Sequence, residues 1–181
     1  KDVVDSKSAT FIHPSNNLDV ILGQGTASKE LIEQYGSFDN ILVPIGGGGL
    51  IAGSALAAKY FGDNCSVIGT EPFEVDDAYR SLISGKIETN ITTNTIADGL
   101  RTQLGDKNFP IILNEVKEII RITEDEIINS MKLIWQRLKI ICEPSCSLPL
   151  AGLLKNKDKF KGKKIGIIIT GGNIDLDNLP Y

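Results

Sequence analysis

Residues 44–50 read Pro-Ile-Gly-Gly-Gly-Gly-Leu, directly after the apolar run Ile41-Leu42-Val43. Four consecutive glycines cost backbone entropy, so they belong where the chain must pass very close to something. The alanine-rich stretch 50–58 follows and predicts a helix. Strand, glycine turn and helix N-terminus together make an anion cradle. Free N–H groups and the positive end of the helix dipole converge there. A tight turn without a ligand uses the same residues, but the flanking strand and helix favour the anion site.

The same alternation runs along the whole chain. Apolar stretches 41–45, 66–70, 118–122 and 165–169 predict buried strands. Segments 27–35, 50–58, 76–83, 123–138 and 147–154 predict helices, with Thr26 as a candidate N-cap. Thr123-Glu124-Asp125-Glu126 matches a capping box. Ile127, Ile128, Met131, Ile134, Trp135 and Leu138 follow at helical spacing, and Met131 and Trp135 read as core. The stretch 88–105 is polar and irregular. Strands alternating with helices imply an α/β fold, an open and mostly parallel sheet flanked by helices. In such sheets ligands sit beyond the carboxyl ends of the strands. The glycine loop, Glu71 and Thr170-Gly171-Gly172-Asn173 all fall at such ends.

Composition narrows the partners. The 181 residues are 41% hydrophobic and 23% charged, enough for one domain with a real core. A net charge of −4 invites neither nucleic acid nor an anionic membrane. No apolar run approaches the roughly 20 residues of a membrane span. Cys65, Cys142 and Cys146 lack zinc spacing, fit a reducing cytoplasmic compartment, and read as core or site-lining residues. His13, the only histidine, precedes Pro-Ser-Asn-Asn and reads as a loop residue holding backbone geometry.

Three phosphate readings compete at the glycines. A nucleoside-triphosphate loop requires Gly-Lys-Ser/Thr, and Leu50-Ile51-Ala52 stands there instead. Gly47-x-Gly49-x-x-Ala52 satisfies a dinucleotide fingerprint, with Glu71 about 20 residues on as a ribose-binding acid. An NAD-type dehydrogenase is therefore one alternative, but it leaves the second glycine turn and the acidic cluster unexplained.

Six motifs carry a third reading. They are Gly23-Gln24-Gly25-Thr26, Val43-Pro44-Ile45-Gly46-Gly47-Gly48-Gly49-Leu50, Glu71-Pro72, Thr95-Ile96-Ala97-Asp98-Gly99, Glu143-Pro144-Ser145 and Thr170-Gly171-Gly172-Asn173. In this order and spacing they resemble the β-family of pyridoxal-phosphate enzymes, fold type II, with a tryptophan synthase β-like fold. The string Glu71-Pro72-x-x-x-Asp76-Asp77 is similar to the branch of serine racemases and serine/threonine dehydratases. The resemblance implies a lyase or isomerase acting on L-serine or L-threonine. The products would be a 2-oxo acid and ammonia, or D-serine.

The same resemblance implies roles. Gly46, Gly47, Gly48, Gly49 and Leu50 would hold the cofactor phosphate. Thr170 would face the pyridine nitrogen, and Glu143 would lie near the ring. Glu71, Asp77 and the Val75 carbonyl would bind Mg²⁺, or Ca²⁺ or Mn²⁺, oxygen ligands suiting such hard cations. Asp76 is the close decoy. Without a metal, these acids would cap the following helix. A homodimer and a nucleotide activator are further implications. The family's Schiff-base lysine sits in a Ser-x-Lys-x-Arg-Gly-Ala motif, and no such motif stands in this sequence. The chain is therefore expected to be the C-terminal half to two-thirds of an enzyme, truncated at the N-terminus. Residues 1–14 would be a remnant of a small domain and 15–181 part of the large cofactor-binding domain. A non-catalytic partner subunit with the same fold is the other alternative.

Overall fold

The computed structural model describes residues 2–7 and 9–180; Lys1, Ser8 and Tyr181 lie outside them. Four strands form one sheet: β1 (Asn40–Pro44), β2 (Ser66–Pro72), β3 (Val116–Ile122) and β4 (Ile165–Ile167). Their order is β3-β2-β1-β4, and every pairing is parallel. All five residues of β1 are buried, as expected of a central strand covered on both faces. Because the strands are parallel, their carboxyl ends share one edge. Because β1 and β4 are neighbours, the glycines leaving β1 meet the Thr-Gly-Gly turn leaving β4.

Helices make the crossovers. α1 (Asp2–Lys7) and α2 (Leu18–Tyr35) precede the sheet, and α3 (Gly49–Phe61) joins β1 to β2. Between β2 and β3 lie α4 (Asp77–Ser84), a 3₁₀ turn (Asp98–Leu100) and α5 (Phe109–Glu115). Between β3 and β4 lie α6 (Glu124–Leu138), α7 (Pro144–Lys155) and α8 (Lys157–Phe160). The main core gathers Ile21 and Ile32 of α2, Ile41 and Val43 of β1, Ile51 and Ala55 of α3, and Ile112 of α5. Among the described residues, no helix is long and apolar enough to cross a membrane.

The sequence expectations hold for the sheet and for α6, whose capping box forms as read. Met131 is fully buried and Trp135 packs against the same cluster. Three expectations need correction. The helix placed at 27–35 starts nine residues earlier, and its N-cap is Asn17, not Thr26. Asn17 Oδ1 accepts from the N–H groups of Asp19 (2.9 Å) and Val20 (3.2 Å). Thr26 instead donates from its hydroxyl to the Gly23 carbonyl inside the helix, at 2.7 Å. Gly25 and its partner Gly53 do not break their helices, because they are where α2 and α3 cross. A Cβ on Gly53 would stand 2.1 Å from the Ile21 carbonyl oxygen, and one on Gly25 would stand 2.5 Å from that of Gly53.

The strand placed at 165–169 keeps only Ile165–Ile167. Ile168 still donates to the Leu42 carbonyl at 3.1 Å, but Ile169 has left the ladder. Helix α7 begins at Pro144, three residues before the expected start, since proline at the first helical turn needs no N–H partner.

Candidate cofactor and cation sites

The glycine loop turns into α3 with Gly48 in the left-handed region, φ +84°. Among the described residues, no acceptor meets the N–H groups of Gly46, Gly47 or Gly48. These donors sit at the N-terminus of a 13-residue helix, where the dipole adds positive potential. Close packing explains the run of glycines. A Cβ on Gly46 would meet the Gly99 carbonyl and the Thr102 hydroxyl, both at 2.9 Å. One on Gly47 would fall 2.3 Å from Ser15 Oγ, and one on Gly49 would fall 2.9 Å from Ser15 Cα.

A cavity of about 180 Å³ lies over this loop, the volume of about six waters. Gly46–Leu50, Ser15, Gln24, Gly99 and Thr170 line it. A second, wider hollow adjoins it at Pro14, Ser15, Gly47 and Gly99 and extends over Arg101 to Leu104. The residues expected at a cofactor phosphate therefore share one cavity with Thr170, as the β1–β4 neighbourhood dictates. Unpaired donors at a helix N-terminus, with no room for side chains, fit a phosphate. Among the described residues, no lysine lines either hollow.

Glu143 stands beside the same turn. It precedes α7, and its carboxylate accepts from the Asn173 N–H at 3.0 Å. Its own N–H donates to the Gly171 carbonyl at 3.1 Å. A Cβ on Gly171 would sit 3.4 Å from both carboxylate oxygens, so the turn wraps closely around this acid. Gly99 is close on the other side, bonded through its N–H to Ser145 Oγ at 3.1 Å. Cys146 is buried beneath, its thiol donating to the Gly171 carbonyl at 2.9 Å.

The acidic string resolves into separate jobs. Asp76 accepts from Arg80 at 2.7 Å and from Arg121 at 2.9 Å. Glu71 is buried and accepts from the N–H groups of Ala78 (3.0 Å) and Tyr79 (2.9 Å), so it caps α4. Held there, it cannot serve a ribose at the glycine loop. Asp77 is fully buried. Its Oδ2 accepts from the Leu104 N–H at 3.3 Å, and its Oδ1 has no partner. Val75 is buried in the same turn.

Burial, and then the charge of Asp77, push the Glu71 carboxyl well above the usual range. Burial likewise pushes Asp77 up to about 6. Two buried carboxyls and an orphaned oxygen are what a hard cation would satisfy. Among the described residues, no third histidine, cysteine or acid completes a metal cluster. Further ligands would have to be backbone, amide or water oxygens.

His13 is the loop residue that the sequence predicts. Its Nδ1 accepts from the N–H groups of Ser15 (3.2 Å) and Asn16 (3.0 Å). Sequence reasoning missed Asn108, which is buried and reaches the glycine loop. Nothing in Asn-Phe-Pro distinguishes it from an ordinary residue before a helix.

Fold and site define an α/β domain with a cavity at the carboxyl edge of a parallel sheet whose unpaired N–H groups fit a phosphate. The chain belongs to the family described as pyridoxal-phosphate dependent enzymes, which matches residues 1–171. It is 50% identical to the serine racemase of Dictyostelium discoideum, across 99% of this chain and 56% of that protein. It is 47% identical to the beta-hydroxyaspartate dehydratase of Paracoccus denitrificans, across 94% of this chain and 54% of that protein. The processed form of a threonine deaminase from Solanum lycopersicum superposes with a TM-score of 0.91 at 28% identity, covering 97% of this chain and 49% of that one. The chain thus spans little more than half the length of the curated relatives it matches.

Proposed function

We propose that this chain is the phosphate-holding part of a pyridoxal-phosphate enzyme that dehydrates or racemises L-serine or L-threonine. The observation that carries the reading is the single cavity lined by both Thr170 and the glycines whose N–H groups are unpaired. When bound, pyridoxal phosphate supplies an electron sink for the charge left when a substrate loses its α-proton. The residues of this chain bind and orient it. Gly46, Gly47, Gly48, Gly49 and Leu50 receive the phosphate, and Thr170 offers a neutral hydroxyl to the ring nitrogen. A hydroxyl does not protonate that nitrogen as a carboxylate would, which favours departure of a β-hydroxyl group. Glu143, steadied by the Asn173 N–H, lies near the ring, where a carboxyl group can relay or stabilise a proton. Among the described residues no lysine lines the cavity, so a lysine that bonds the cofactor would have to reach it from elsewhere.

Mg²⁺, or Ca²⁺ or Mn²⁺, would sit at Glu71 and Asp77 with the Val75 carbonyl, as a structural and activating ion. The orphaned Asp77 Oδ1 supports this. Residues 1–14 would belong to a second, smaller domain and 15–181 to the large one, which accords with the half-length coverage of the relatives. A homodimer, a nucleotide activator and a cytoplasmic location complete the proposal, on the strength of the resemblance.

The test is an assay of the full-length polypeptide carrying this chain, supplied with pyridoxal phosphate and then with L-serine or L-threonine. A cofactor absorbance band, with release of 2-oxo acid and ammonia or formation of D-serine, is expected. No band and no product from either amino acid would falsify the reading.

A further inference from the structure

The glycine loop is held from behind by one side chain. Asn108 is fully buried at the start of α5, and both ends of its amide are engaged. Its Nδ2 donates to the carbonyls of Gly47, at 2.7 Å, and Ser15, at 2.9 Å. Its Oδ1 accepts from the Gly105 N–H at 3.0 Å. The amide is packed against Gly48, where an added Cβ would stand 2.9 Å from Oδ1 and 2.7 Å from Leu104 Cδ2.

Peptide geometry turns these bonds into a function. In a planar trans peptide, C=O and N–H point in opposite directions. The Gly47 carbonyl is drawn toward Asn108, so the N–H of Gly48 points the other way, toward the cavity. Gly48 at φ +84° has no Cβ to oppose a flip of that peptide. Without Asn108 the carbonyl is free to turn toward the bound anion and repel it. The strap from Leu104 to Asn108 is also tied at its far end, by the Leu104 N–H on Asp77. Asn16 fastens it again, accepting from the Lys107 N–H at 2.8 Å and donating to Asp106 at 2.7 Å. The anchor is therefore itself anchored.

We propose that Asn108 is a positioning residue for cofactor phosphate, setting the Gly47–Gly48 peptide so that its N–H faces the anion. This rests on the phosphate-site reading above. Asn108 itself does not touch the ligand.

The experiment compares wild type, N108D and N108A in the full-length protein. Binding of pyridoxal phosphate, inorganic phosphate and phosphate-free pyridoxal is measured by equilibrium dialysis, with melting temperatures alongside. N108D keeps the shape and the acceptor for Gly105 but loses both donors. It is expected to weaken pyridoxal phosphate and phosphate alike, by about 10- to 100-fold, the cost of one charge-assisted hydrogen bond. Affinity for pyridoxal stays unchanged, a selectivity that general loosening of the fold does not produce.

Equal phosphate affinity in a folded N108D or N108A overturns the assignment of Asn108 alone. A wild type that binds neither phosphate nor pyridoxal phosphate overturns the site reading and this proposal together. If neither variant folds, amide exchange in the wild type decides. Phosphate binding slows exchange at Gly105 N–H if Asn108 couples the two, and unchanged exchange there refutes it.

Discussion

Asp76 and Asp77 are adjacent in sequence and opposite in circumstance. Asp76 is claimed by two arginines, whereas Asp77 is buried with one oxygen unpartnered. The family resemblance names Asp77 as the ligand and Asp76 as the decoy; Arg80 stands four residues on at helical spacing, but no pattern in the string predicts Arg121. Arg121 arrives from the neighbouring strand, 45 positions away along the chain. Glu71 is both a helix cap and half of a carboxylate pair, so the two readings of this acid meet in one side chain. Gly48 makes the sharpest test at this scale. Its φ of +84° and its contact with Leu104 both oppose a side chain. G48A is expected to cost about 1–3 kcal/mol in urea denaturation and to weaken phosphate binding. A variant as stable as wild type would mean that the loop relaxes easily and is not held as described.

Among the elements, α6 is fully legible because its signals are local. Thr123, Glu126 and the apolar spacing all lie within the segment they specify. Burial works to raise the Glu126 carboxyl. The bond from the Thr123 N–H and the Lys155 ammonium outweigh it and hold the group below its ordinary value. A depressed acid stabilises the fold above its unfolded pKa and loses that contribution as pH falls through its folded one. E126Q is therefore expected to be less stable than wild type by about 0.3–1 kcal/mol at pH 7. The gap should close below about pH 4; a gap that persisted in acid would show that charge is not its source. Helix α2 is half legible for the opposite reason. Its glycines look like breakers until α3 is laid across them. G53A is expected to destabilise by about 1–3 kcal/mol through overpacking at Ile21, measured by thermal melting. Unchanged melting would mean that the crossing gives way without cost.

At the scale of the whole molecule, one strand order assembles the site. The neighbourhood of β1 and β4 brings residues near 47 and 170 to one cavity, and the crossover after β2 carries the carboxylates to the strap behind it. Mg²⁺ is expected to raise the unfolding free energy of wild type, read by urea denaturation, by about 2.7 kcal/mol at a hundredfold excess over its dissociation constant. Chelation reverses the gain, and D77N abolishes it. An equal shift in D77N would move the cation away from this place.

The sequence by itself determined the parallel α/β class, the strand, glycine turn and helix arrangement and the family motifs. Each of these is written in local periodicity or in short strings, and local signals survive without knowledge of neighbours. Only the tertiary structure decided that glycines serve a helix crossing, that Arg121 reaches Asp76 and that Asn108 grips the loop. These depend on partners from distant segments, whose approach is set by packing and strand order. A side chain's reach across the fold leaves no period and no spacing in the chain that carries it.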